Sequence, residues 1–308
     1  MKARKPRPDL GRLSTEKANP AAVDLDLQSA LEIARIINLE DRKVAPAVKR
    51  ALPQIARAID LIAYALGRGG RLLYVGAGTS GRIAALDAAE CPPTFNLDPK
   101  TVQYVMAGGP KALGIAIEAD EDSRELGKRE MAKKKPGRAD VVVGIAASGR
   151  TPFTVAAIAY ARRQGAKTVA VTCNPNSPLE KAAHLAIVAE VGPEAVSGST
   201  RMKAGTAQKM ILNMLSTGAM TRLGYVYGNL MVNVHLTNEK LAERGVSILE
   251  RTARVSREAA ERALKAAGNS VPVALVMLQS GAPRAQAQQA LPATHGHVRH
   301  AIASVRKR

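Results

Sequence analysis

The 308-residue chain has no tryptophan, two phenylalanines, six tyrosines and two cysteines. Each shortage closes a route. At 3% aromatics there are few rings on which the bases of a single-stranded nucleic acid could stack. Cys91 and Cys173, with no C-x-x-C pair, make neither a disulfide framework nor a four-cysteine zinc site, which suits a reducing compartment. Apolar runs are short: the one around Val141–Ala147 is far below the roughly 18 residues of a membrane span. The basic opening MKARKPRPDL leads into no apolar stretch of the secretory type. A cytoplasmic protein with no membrane partner is expected. Acids are scarce too, 26 Asp+Glu against 45 Lys+Arg, a formal charge of +19. The excess crowds into Lys2, Arg4, Lys5, Arg7 and Arg12 of a Pro-containing arm, into Lys128–Arg138, and into Arg306–Arg308. Such runs are usually solvated faces, and no helix-turn-helix accompanies them, so no nucleic-acid partner is expected.

What remains is an ordinary globular composition, 46% apolar, long enough for a sizeable core. Helical spacing runs from Leu27 to Ile37, where Asn38–Asp41 breaks it, then from Val44 to Leu66 with an interruption at Pro53. Short apolar runs then alternate with helical patterns. Strands are expected over 71–75, 101–107, 140–146, 167–173 and 185–191, with helices over 80–89, 110–134, 152–164 and 202–222. Strands apolar on both faces that alternate with helices predict an α/β fold, a five-stranded parallel sheet flanked by helices. Ser256, Ser270 and Pro283 each open a further helix in a small C-terminal helical domain. The expected division is 1–50, N-terminal arm and helices; 51–250, sheet domain; 251–308, a three-helix, UBA-like domain. His295, His297 and His300 there lack the spacing of zinc helices and read as solvated.

The first strand is followed by Gly76-Ala-Gly-Thr-Ser-Gly81, which satisfies the G-x-G-x-x-G of dinucleotide folds. The second strand, ending Val105-Met-Ala-Gly-Gly109, has no acid to hold a ribose, which argues against that cofactor. An internal echo points elsewhere. Gly76–Arg82 and Gly144–Arg150 share the frame G-x-x-x-S-G-R, each at a strand-to-helix turn. Two such turns can aim backbone N–H groups and hydroxyls at one anion. The candidate phosphate-binding residues are Thr79, Ser80, Gly81, Ser148, Gly149, Arg150 and Thr151, with Arg82 weighed beside Arg150 as a surface arginine or a clamp. N-capping serines in tight turns are the simpler reading of either loop taken alone.

These turns resemble the sugar isomerase (SIS) family, with a flavodoxin-like sheet, and within it the etherases that act on N-acetylmuramic acid 6-phosphate. The strings that carry the likeness are Leu13-Ser-Thr-Glu with Asn19-Pro20; GAGTSGR at 76–82; LDAAECPPTF at 86–95; GIAASGRTPF at 144–153; GPEAVSGSTRMKAGTAQKMILNMLST at 192–217; and YGNLMVNV at 227–234. The resemblance implies a lyase that removes the lactyl ether of a phosphosugar substrate, works as a homodimer and uses no metal or redox cofactor. It implies two catalytic carboxylates, Glu90 and Glu121, and gives Glu194, where related isomerases place a base, second rank. Thr200, Arg201 and Lys203 form a further turn suited by charge to the lactyl carboxylate or a subunit contact, and Ser199 and Lys203 rank beside Glu194 as second-rank candidates. Asp120, where the family has a small residue, is expected to raise the pKa of Glu121; Tyr225 stands where the family often has a lysine. Read from the residues alone, Glu90 sits where Cys91-Pro92-Pro93 stops a helix, and Glu118 competes with Glu121 from one helical turn earlier. A phosphosugar-sensing regulator that performs no chemistry is the alternative.

Overall fold

The computed structural model describes residues 13–306 apart from His235, Thr237, Asn238, His295 and the side chain of Lys240. The basic arm through Arg12, the last two residues of the tail and His295 therefore lie outside the described residues. The chain forms two compact units, one of residues 1–88 and 102–215, the other of 89–101 and 216–308.

The first unit is built on a five-stranded sheet of β1 (Leu72–Gly76), β2 (Val102–Met106), β3 (Val141–Ile145), β4 (Lys167–Thr172) and β5 (Leu185–Val188). The order is β2-β1-β3-β4-β5 with every pair parallel; Tyr74 stands level with Tyr104 on one side and Val143 on the other. β1 and β3 are buried at every position, as expected of strands covered on both faces. Leu73, Val75, Val142 and Ala170 face a core with Met131, Phe153, Ile158 and Leu179. These side chains come from α5 (Arg124–Lys133), α6 (Pro152–Arg163) and α7 (Pro178–Ala182). The remaining helices are α1 (Ala30–Asp41), α2 (Val44–Arg50), α3 (Leu52–Leu66), α4 (Gly78–Phe95) and α8 (Lys203–Arg222). α3 buries Ile55, Ala58, Ile62 and Ala65 and packs on β1, β3 and β5.

The second unit takes in the ends of α4 and α8. Its other elements are the hairpin of β6 (Val226–Tyr227) and β7 (Leu230–Met231), and helices α9 (Glu239–Ala253), α10 (Arg257–Ala266), α11 (Val271–Ser280), α12 (Arg284–Ala293) and α13 (Val298–Arg306). Val232, Leu249, Val271, Leu275 and Ile302 form its core.

Local chemistry moves several expected boundaries. Asn38–Asp41 does not break α1 but belongs to it, because Glu40 is buried and held by tertiary partners. The interruption before α3 falls at Ala51, and Pro53 sits in the first turn, where its missing N–H costs nothing. Pro92 and Pro93 do not stop α4, whose helical φ they share; Asn96 at φ 53 follows its last residue. The run 110–134 is not one helix: a 3₁₀ turn at Gly109–Leu113 and a loop precede α5, whose N-cap Ser123 accepts from Leu126 N–H. A fourth helix, α13, follows the three expected at the C-terminus; its stripe Val298, Ala301, Ile302 is buried.

Candidate active site

In the order β2-β1-β3, α4 carries the chain from β1 to β2 on one side while β3 lies on the other, so the order in which strands are added reverses between β1 and β3. Open α/β sheets bind ligands in the crevice at such a point, beyond the carboxyl ends of the strands. Both glycine–serine turns leave from there. The first turn of α4 holds Gly78 (φ 51), Thr79 and Ser80, whose N–H groups have no partner within the helix. Ser80 is 8% exposed. In the second turn Gly149 N–H donates to Ala146 C=O at 3.0 Å and Arg150 N–H to Ser148 Oγ at 3.2 Å. Thr151 is the N-cap of α6, but its hydroxyl makes no capping bond and stays available.

The second turn is braced from outside. Gly149 C=O accepts from Leu179 N–H at 2.9 Å, and Ala147 C=O from Asn174 Nδ2 at 3.0 Å. Asn174 in turn accepts from Ser14 N–H and Oγ, both at 2.9 Å, and donates to Thr15 Oγ1. The Leu13-Ser-Thr-Glu string is thus a strap on the loop. Gly149 has φ 65, and a Cβ there would come within 2.3 Å of Ser177 Oγ. Gly149→Ala is expected to lower stability by about 1–3 kcal/mol, read by urea unfolding; a loss under about 0.5 kcal/mol would mean the loop yields freely.

Glu121 comes to these turns from both ends. Its carbonyl accepts Phe153 N–H at 3.0 Å, one of the free donors of α6, and a Cβ built on Gly78 would lie 2.9 Å from its Oε1. Its carboxyl is raised above the ordinary 4.5, first by burial, then by Glu118 and Asp122, with Arg82 pulling the other way. The charges that act are therefore not Asp120, as the sequence suggested. Nor are Glu118 and Glu121 on one helical face: they close a turn, Glu121 N–H to Glu118 C=O at 3.0 Å, with Glu118 exposed. Arg82 donates to the carbonyls of Leu113 and Ile115 at 3.0 and 3.2 Å, so it holds the loop that leads to Glu121. Arg150 keeps a buried Nε with no partner among the described residues. Glu90 is exposed on α4 within the second unit.

Glu194 and Lys203 are committed elsewhere. Glu194, fully buried, accepts Lys203 N–H and Ala204 N–H at 3.0 Å each and so caps α8. Burial raises its pKa against the pull of those two N–H groups and the Lys203 charge. Lys203 Nζ lies 2.5 Å from Glu40 Oε2, and Lys203 is 1% exposed, so in this structure its ammonium is paired with Glu40. Ser199 helps form the turn before α8, accepting Met202 N–H at 3.2 Å. Two residues escaped the sequence reading: Asn174, and Gln208 on α8, whose Oε1 accepts from Ser80 Oγ at 2.9 Å. A lone buried amide on a helix leaves no local signal. Among the described residues no group of three or more His, Cys, Asp and Glu side chains is placed to hold a metal, and no helix is long and apolar enough to cross a membrane. His297 and His300 stack, ring centroids 3.8 Å apart.

Two family models match the chain: the glucokinase regulatory protein N-terminal SIS domain over residues 54–162 and the SIS domain over residues 129–218. The chain is 51% identical over 290 residues to the N-acetylmuramic acid 6-phosphate etherase of Aeromonas hydrophila subsp. hydrophila, covering 94% of this chain and 97% of that protein. Against the protein of the same name from Yersinia pestis (strain Pestoides F) the figures are 51% over 293 residues, 95% and 99%. Among solved structures, a phosphoheptose isomerase from Francisella tularensis is 18% identical with a TM-score of 0.49, covering 63% of this chain and all of that one.

Proposed function

This chain belongs to the N-acetylmuramic acid 6-phosphate etherase family, and from that premise we propose that it cleaves the D-lactyl ether of N-acetylmuramic acid 6-phosphate to N-acetylglucosamine 6-phosphate and D-lactate. The observation that carries the proposal to the residues is Glu121, held between the open N-termini of α4 and α6, where helix dipoles favour an anion. Thr79, Ser80, Gly81, Ser148, Gly149, Arg150 and Thr151 are proposed to bind the phosphate. Glu121 and Glu90 are proposed as the two carboxyl groups of the reaction, their pairing resting on the family.

With the sugar ring open, the aldehyde at carbon 1 acidifies the proton on carbon 2. Glu121 takes that proton; the carbon 3–oxygen bond breaks with its electron pair passing to the lactyl oxygen, which Glu90 protonates. Lactate leaves and an unsaturated aldehyde remains. Water then adds at carbon 3 and a proton returns to carbon 2, so the protein is restored and the reaction is that of a carbon–oxygen lyase. Carboxyl groups held in different protonation states can serve both halves. A homodimer in the cytoplasm, acting in cell-wall sugar recycling, completes the proposal.

The test is incubation of the purified protein with N-acetylmuramic acid 6-phosphate and EDTA in deuterated water. D-Lactate in step with N-acetylglucosamine 6-phosphate, and one deuterium at carbon 2, are the expected products. No lactate above the protein-free control would overturn the etherase reading and favour the phosphosugar sensor.

A further inference from the structure

Gln208 is left over by the phosphate reading. Its side chain is 1% exposed; one end of the amide meets Ser80 Oγ at 2.9 Å, and the other, Nε2, is buried without a partner among the described residues. A buried NH₂ with no acceptor costs more than a buried carbonyl with a spare lone pair. Half a turn about the last side-chain torsion exchanges the two ends, so that Nε2–H donates to Ser80 Oγ and the carbonyl becomes the unpaired group. The consequence falls on Ser80. A hydroxyl has one proton: given to Gln208 it is not available to a ligand, but when Gln208 donates instead, that proton is free beside the open N–H groups of α4. The first turns of the two helices lie against each other here, for a Cβ on Gly205, one turn before Gln208, would sit 3.4 Å from Thr79 Cγ2.

We propose that Gln208 is a positioning residue that reverses its hydrogen bond with Ser80 when a phosphate monoester binds, turning the Ser80 proton onto the phosphate. The inference rests on the phosphate-site reading above. The reversal creates one donor to an anion without moving the backbone, and it acts on phosphate binding alone.

The test compares wild type, Ser80→Ala, Gln208→Met, Gln208→Glu and the Ser80→Ala/Gln208→Glu double variant. The readouts are KM and kcat for lactate release, calorimetric affinity for N-acetylglucosamine 6-phosphate against unphosphorylated N-acetylglucosamine, and thermal unfolding. Gln208→Glu, close in shape and able only to accept when ionised, is expected to hold the Ser80 proton and so raise KM and weaken binding of the phosphorylated sugar about tenfold at neutral pH with kcat within about twofold, as for loss of one hydrogen bond to a charged group. Gln208→Met takes no proton from Ser80 and is expected to change both by no more than about threefold, the cost of losing the Gln208 donor that orients the hydroxyl. In the double variant Gln208→Glu adds nothing to Ser80→Ala, because its route is gone. Additive losses, or a fall in kcat or melting temperature with KM unchanged, would overturn the role of Gln208 and leave the phosphate site standing. Ser80→Ala with wild-type affinity for the phosphorylated sugar would overturn that site and the inference with it.

Discussion

Glu121→Gln is expected to lower kcat for lactate release by about a thousandfold, the scale of a lost general base, with KM changed little. The amide has nearly the shape of the carboxylate and keeps the backbone bond to Phe153, so the loop and α6 stay in place. What it loses is the capacity to hold a proton. The pH profile supplies a second reading. A base must be ionised, so kcat/KM should fall as pH drops through the pKa of Glu121, on an acid limb that lies above 4.5 because burial and the charges of Glu118 and Asp122 raise it. Glu118→Gln removes one of those charges from an exposed side chain; turnover near wild type and an acid limb moved downward are expected. Glu90→Gln should also be slow by orders of magnitude. Near-wild-type turnover in Glu121→Gln or Glu90→Gln would remove that residue from the chemistry. A rate that instead falls as pH rises through the pKa of Glu121 would make it the acid and exchange the two roles.

The second large effect is on stability. Lys203→Met should destabilise the protein by about 3–5 kcal/mol, the range for breaking a buried ion pair by removing one partner. Glu40 is 4% exposed at its side chain, and of the partners that would survive, Lys43 is 59% exposed and Asn19 carries no charge. Burial pushes the Glu40 pKa up, but hydrogen bonds from Lys203, Lys43 and Asn19 overcome it and bring the carboxyl to about 2. A carboxyl lowered from 4.5 to about 2 stabilises the folded state by about 3 kcal/mol. That contribution is complete above about pH 4.5 and disappears as pH falls through about 2. Without Lys203 burial prevails, the pKa rises, and the ionised carboxylate becomes a cost that protonation relieves. The deficit of Lys203→Met relative to wild type should therefore shrink between pH 7 and about 5 in urea unfolding. A deficit below about 1 kcal/mol, or one independent of pH, would mean that water reaches Glu40 and the pair is no anchor. Glu40→Gln/Lys203→Met should recover part of the loss, since no unpaired charge stays inside.

Much of the sheet can be read from the chain because β1 and β3 are covered on both faces and therefore appear as unbroken apolar runs, and β4 is buried from Thr168 onward. The two turns proposed to bind phosphate are legible for a related reason: close backbone approach and an open helix N-terminus restrict the residue types to glycine and small hydroxyl side chains, and the restriction occurs twice. Tertiary facts are less accessible. Lys203 looks like any lysine at the start of a helix until Glu40, 163 residues away, is seen to meet it. Residues 110–134 have helical composition, yet the loop that presents Glu121 is fixed by Arg82 and by Phe153 N–H, which lie outside that window. Pro92 and Pro93 mislead in the opposite direction, because a proline forbids a hydrogen bond but not the helical φ.

The Ser148 turn takes part of its order from Asn174, and Asn174 from Ser14, 160 residues earlier. Closing so long a loop costs chain entropy that the strap's bonds must offset, so the brace depends on the packed sheet beneath it. Half of the proposed anion site is therefore completed by a segment remote in sequence: a chain that has its sheet but has not docked its N-terminal strap holds the Ser148 turn by fewer bonds. Any ligand that requires the finished turn adds its binding free energy to that docking rather than to the sheet, and so favours molecules with the strap in place.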